Sequence, residues 1–169
     1  MPQFDLLEIS IPNPGKPMRV TIVAIGRYRS GLLHDLYDHY ASRLRWRVDL
    51  KEIEVKSVGD QATNVRKEGA RLLAAIPHGA RVVVLDESGK TLTSRALARW
   101  IGRAQNDSVD DLALMIGGAD GLDGTVLDRA DLILSLGRVT WPHFLVRSLV
   151  AEQLYRAQQI LQGHPYHRD

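Results

Sequence analysis

Short apolar runs alternate with longer amphipathic stretches along this chain. VTIVAI at 20–25, VDLKEIEV at 48–55, RVVVLD at 81–86, LALMI at 112–116 and DLILSL at 131–136 are rich in Val, Ile and Leu and have the length of strands. Between them, residues 30–46, 61–76 and 93–106 have helical character, with a short helical turn at 125–130. Thr93 or Ser94 offers a hydroxyl cap to the third helix. Trp141-Pro142 then opens a long helix, with proline near the first position where its missing N–H costs nothing, and Gly163 and Pro165 stop it. Strands alternating with helices predict an α/β fold, a parallel-sheet sandwich of about five strands with helices on both faces. No internal repeat or long linker divides it.

Composition narrows the function. The 169 residues, 44% hydrophobic and 25% charged, suffice for one core. No cysteine is present, which excludes disulfides, thiolate metal sites and cysteine nucleophiles. The first segment, MPQFDLLEISIPNPGKP, carries acids before its first base and no apolar core, unlike a signal peptide. No run approaches the ~18 apolar residues of a membrane span, so a cytoplasmic protein without a membrane partner is expected. Formal charge is only +2, so a nucleic-acid partner would need a local basic patch. Arg27, Arg29, Arg43, Arg45 and Arg47, with Trp46 interleaved, offer one; a solvated helix face reads equally well.

The glycines have a common position. Gly26, Gly89, Gly117, Gly118 and Gly137 follow strands, at the edge where open α/β sheets bind ligands. Glycine there lets backbone approach a ligand, although for any one of them ordinary turn chemistry explains it as well. LALMIGGADGL at 112–122 carries neither G-x-G-x-x-G nor a Lys-Ser/Thr after its glycines. A ligand held by backbone N–H and C=O groups fits better than a nucleoside triphosphate.

IGGADGL at 116–122, LSLGRVTWPHFLVRSLVAEQLYRAQQI at 134–160 and the terminal HPYHRD resemble the ribosomal large-subunit RNA methyltransferase H family of the SPOUT class. The resemblance runs from Met18 to Asp169 and includes MRVTIVAIG and KEGARLL. It implies a homodimeric enzyme that uses S-adenosylmethionine to methylate N3 of a pseudouridine in large-subunit ribosomal RNA on assembled ribosomes. It also implies a C-terminal trefoil knot, which periodicity could not have suggested. Carried over, the cofactor segments are Leu85, then Gly117 and Gly118, then the loop Leu136, Gly137, Arg138, Val139, Thr140 and Trp141, with Arg138 turned outward. Residues 1–17 precede the family's start and read as a poorly ordered extension to a domain at 18–169.

Methyl transfer from a sulfonium to a weakly acidic imide needs positioning more than side chains, and no metal. A base near neutral pH would be histidine. His143 is a candidate or a packing residue, and His164 lies in the tail; His167, between an aromatic and an arginine, is the preferred base. Tyr166 offers a stacking face and Arg168 a phosphate fork. Glu152 and Arg156 are either an ordinary i,i+4 pair or, with Arg147, a substrate-facing set. Leu145, Val146, Leu149, Val150, Leu154, Ala157, Ile160 and Leu161 cover more of the last helix than one sheet face needs, which predicts a second subunit. Two other readings stay open: a non-catalytic ribosome-associated factor on the same fold, and a flavodoxin-like nucleotide or flavin binder.

Overall fold

The computed structural model describes residues 17–166. The expectation for residues 1–17 falls almost wholly outside them, as do His167 and Arg168.

The strands are β1 (Arg19–Ile25), β2 (Arg47–Ile53), β3 (Arg81–Thr91), β4 (Asp111–Ile116) and β5 (Leu132–Ser135). The helices are α1 (Leu32–Ala41), α2 (Gln61–Ala74), α3 (Ser94–Asn106), α4 (Gly124–Asp128) and α5 (His143–Leu161). All pairings in the sheet are parallel, in the order β2-β1-β4-β3-β5. The predicted five-strand α/β sandwich is the fold observed.

Side chains alternate across the sheet with period two. Val20, Ile22 and Ala24 of β1 join Leu112, Leu114 and Ile116 of β4 in a core packed by α1, α3 and α5. Val23, Ile25, Ala113 and Met115 face the opposite side, against Leu72 of α2 and Val126 of α4. Interior strands therefore read as unbroken apolar runs because both faces are covered. Edge strand β2 alternates exposed and half-buried positions through Leu50.

Two elements depart from the expected bounds. The first helix ends at Ala41 instead of running to 46. The side chain of Gln158 on α5 accepts the backbone N–H groups of Arg45 at 2.8 Å and Trp46 at 3.3 Å, which holds that segment in a bend ahead of β2, with Trp46 in the core. Trp46 is thus a packing residue and not an aromatic interleaved in a basic surface. In the other direction, β3 continues past Asp86 to Thr91, with a register shift between Leu85 and Lys90 against β5. A period-two reading stops at such a shift, because the acids and glycine of the bulge interrupt the apolar pattern.

Gly89 makes the bulge possible. A Cβ there would lie 2.7 Å from the carbonyl of Ile133 and 2.8 Å from the nitrogen of Leu134. Both are backbone atoms of the β5 region, with no side chain to swing away. Gly89→Ala should destabilise the protein by about 2–4 kcal/mol, the scale of overpacking at a backbone contact. Chemical denaturation would register the loss; an unchanged midpoint would mean that β5 moves freely.

Candidate active site

The carboxyl ends of β4 and β5, with the middle of β3 at residues 85–87, border a cleft of about 600 Å³. Leu85, Ile116, Leu136 and Val146 supply apolar wall, and Gly117, Gly118 and Gly137 supply backbone. Of the nine residues the resemblance assigned to a cofactor, Leu85, Gly117, Gly118, Leu136, Gly137, Val139, Thr140 and Trp141 line this cleft. Arg138 does not; it is exposed on the loop, as expected of a side chain turned outward.

Each wall has a local cause. After β4 the chain turns tightly, Gly121 N–H donating to the Gly118 carbonyl at 3.3 Å. A Cβ on Gly118 would approach Glu68 Oε2 and Ile25 Cγ2 to 3.1 Å, so close packing at the strand end explains this glycine. Burial, then the charge of Asp120, raises the pKa of Glu68. After β5, Ser135 Oγ both donates to the Gly137 carbonyl and accepts from its N–H, at 3.1 and 3.2 Å. Trp141 Nε1 donates to the Leu136 carbonyl at 3.3 Å. The loop is thereby folded on itself, yet Val139 and Trp141 remain 64% and 40% exposed.

The charged lining was not anticipated. Asp86, Glu87 and Asp120 border the cleft, and among the described residues no lysine or arginine does. Asp86 accepts from Ser88 within the β3 bulge. The one imidazole in the wall among the described residues is His143. Burial first, and the Arg147 charge second, lower its pKa, which favours the neutral ring.

Arg147 corrects a sequence expectation. It does not face a nucleotide beside Arg156: it is wholly buried. Its Nη2 donates to the carbonyls of Ile25 and Gly26, each at 2.7 Å, and its Nη1 to Glu52 Oε1 at 2.9 Å. The guanidinium lies 4.5 Å from the ring centre of Tyr28 and 4.8 Å from that of Phe144. Burial draws its pKa down, while Tyr28 and Glu52 raise it. The isolated charge in the motif LVRSLV could have suggested this, since an arginine flanked by apolar residues on a packed helix must bury or snorkel.

Glu152 and Arg156 do meet, with Nε to Oε1 at 2.9 Å, and the tail joins them. Gly163 adopts φ 67° as the chain leaves α5. Tyr166 then donates its hydroxyl to Glu152 at 3.3 Å, under the Arg156 guanidinium at 5.0 Å from its ring centre and edge-on to Tyr155. Burial and then Glu152 push the Tyr166 phenol up to about 12. Its ring is committed to these contacts and not an open stacking face. This cluster sits nine residues along α5 from His143, about 13 Å of helix rise.

Comparison with known proteins gives the family. A profile described as a predicted SPOUT methyltransferase matches residues 18–167. The ribosomal RNA large subunit methyltransferase H of Rhodospirillum centenum is 50% identical over 151 residues, which cover 89% of this chain and 99% of that protein. The enzyme of the same name from Gluconacetobacter diazotrophicus is 47% identical, covering 87% and 95%. A putative methyltransferase of Legionella pneumophila, solved with bound SAM, superposes with a TM-score of 0.47 at 13% identity, over 83% of this chain and 67% of that one. With a profile spanning the domain and relatives of such identity over nearly their whole length, the chain belongs to the ribosomal RNA large subunit methyltransferase H family of SPOUT methyltransferases.

Proposed function

We propose that the protein transfers a methyl group from S-adenosylmethionine to N3 of a pseudouridine in large-subunit ribosomal RNA, acting on assembled ribosomes in the cytoplasm. The observation that carries this reading is the cleft: three adjoining strands, glycine backbone on its walls, and an acidic rim without a basic side chain among the described residues. Such a donor set suits a ligand with a flat base, a sulfonium and an ammonium. S-adenosylmethionine supplies an electrophilic methyl group when bound. Leu85 and Leu136 would hold the adenine between apolar faces, and the carbonyls and N–H groups of Gly117 and Gly118 would read its edge and the ribose.

The chain's own work is then orientation and proton removal. Methylation at N3 releases the imide proton, and neutral His143 in the cleft wall can accept it. His167 remains the alternative base. The preference for whole ribosomes follows from size, because one compact domain carries no separate module to select a nucleotide. The trefoil path of the C-terminal segment belongs to the same proposal.

A homodimer completes the site in this reading. Leu145 and Leu149 are half-buried but belong to neither core cluster, and they share a stripe of α5 with Glu152 and Arg156. Exposed Trp141 and Val139 adjoin the start of that helix. A second copy would cover them. The tail fits it as well: Tyr166 is tied to the cluster of Glu152 and Arg156, and the cleft lies about 13 Å back along α5. His167 and Arg168 would therefore serve the partner's cleft, and two-fold symmetry would make two such sites.

Purified protein should bind S-adenosylmethionine by calorimetry, and Thr140→Trp should abolish binding without lowering Tm. Thr140 is exposed on the cleft wall, so an indole there fills space and leaves the core alone. Undiminished binding would place the cofactor elsewhere.

His143 should titrate below the ordinary imidazole value of about 6.5 in a histidine proton NMR titration. Because the folded pKa is depressed, its contribution to stability is present above about 6.5 and lost as pH falls through the folded value. His143→Gln should flatten that decline; an unaltered profile would assign it to other groups.

Mixing two inactive subunits tests the shared site. One carries Thr140→Trp and the other lacks residues 164–169. Exchange should restore about half of the sites per heterodimer, and a mixture that stays silent after verified exchange would confine each site to one chain.

A further inference from the structure

The carboxyl edge of the sheet is electrically divided. On the β4-β3 half, Asp86, Glu87 and Asp120 rim the cleft. On the β2-β1 half, the loops after the two strands carry Arg27, Arg29 and Lys56, all exposed. None of the three has a hydrogen-bond or ion-pair partner among the described residues. The two loops leave the sheet together: Ile25 lies opposite Ile53, and Gly26 N–H donates to the Ile53 carbonyl at 2.8 Å. Of the acids nearby, Glu52 is taken by Arg147 and Asp60 caps α2 by accepting from Thr63 N–H at 2.7 Å. Exposed Glu54 and Asp35 and the half-buried Glu68 are the others nearby.

The boundary between the halves is His143. A Cβ on Gly26 would lie 3.6 Å from its Nε2, so the basic loop begins on one side of that ring and the cleft opens on the other. The remaining arginines of the expected basic surface lie elsewhere. Arg45 and Arg47 flank Trp46 at the amino end of β2, and Arg43 covers the Tyr155 ring.

We propose that Arg27, Arg29 and Lys56 form the surface that grips the ribosomal RNA backbone beside the target nucleotide, while the acidic rim keeps phosphates out of the cofactor cleft. The inference rests on the methyltransferase reading above and adds where the RNA lies. Phosphates settle on the β2-β1 half, and a base turned toward β4 passes His143 to reach the cleft. Polyanion is attracted on one side of that imidazole and repelled on the other, so the charge pattern fixes which way the strand approaches.

The test compares two triple variants of equal charge loss in the full-length protein. One is Arg27→Ala, Arg29→Ala and Lys56→Ala; the control is Arg45→Ala, Arg47→Ala and Arg103→Ala, at the opposite edge. Methylation of purified ribosomes and S-adenosylmethionine affinity are measured over a range of salt. The first variant should raise the KM for ribosomes roughly tenfold or more, with kcat and cofactor affinity kept. Its log KM against log salt should lose about two units of slope, at ~0.7–0.9 per phosphate contact. The control should stay within about threefold of wild type. Equal effects of the two variants, or none from either, would overturn the inference while leaving the methyltransferase reading intact. Wild-type protein that neither binds nor methylates ribosomes would overturn both.

Discussion

A buried guanidinium holds the working edge of this protein together. Arg147 reaches from α5 to the last carbonyls of β1 and to Glu52 near the end of β2, between the rings of Tyr28 and Phe144. Glu52 also accepts the N–H of Tyr28, so the first turn after β1 is tied to the same ion pair. Taking one partner from a buried pair costs ~3–5 kcal/mol, because the other charge is left without compensation. Lysine could not replace it: a single ammonium lacks the planar fork that meets two carbonyls and a carboxylate at once. One consequence reaches the cleft directly. With Arg147 fixed, His143 one turn earlier lies against Gly26, where burial first and the Arg147 charge second lower its pKa.

Much of this was legible in the residues, and the gaps have physical reasons. Short unbroken apolar runs located the strands, because in a sheet covered on both faces each interior strand is apolar on both sides. The first helix was read too long because Leu44 and Trp46 continue an apolar spacing, whereas the backbone N–H groups of Arg45 and Trp46 are taken by Gln158, more than a hundred residues away. The extension of β3 was missed because Asp86, Glu87, Ser88 and Gly89 read as a turn, and only the approach of the β5 backbone to Gly89 makes them a bulge. Strand-end glycines and the loop at 136–141 pointed to the cleft, whereas its acidic rim was invisible: Asp86 and Asp120 stand 34 positions apart and meet only through strand order. Arg147 was misplaced for a related reason. Helical spacing set it near Arg156, but helical spacing does not say which face is buried.

The same limit bears on the tail. HPYHRD has the composition of a frayed terminus, and as sequence that reading is the default. What holds it is a set of contacts distributed along α5: the Glu152 carboxylate receives both Arg156 and the Tyr166 hydroxyl, and Gln153 braces the other carboxylate oxygen at 2.7 Å. Gln153 in turn accepts from Ser94 at the start of α3. The docking of Tyr166 is therefore linked to the packing of α3 on α5, and as far as Tyr166 the chain is part of the fold.

That linkage gives α5 two separate tasks. Its first turn serves the cleft through His143 and Val146, and its middle serves the tail through Glu152 and Arg156. Along the helix the two stand about 13 Å apart. The stripe that joins them is apolar at Leu145 and Leu149 and is left outside both cores. In the homodimer proposed above, pairing two such helices about a two-fold axis would hide that stripe and bring the middle of each helix toward the other cleft, so that burial of the interface and assembly of the site would become one equilibrium.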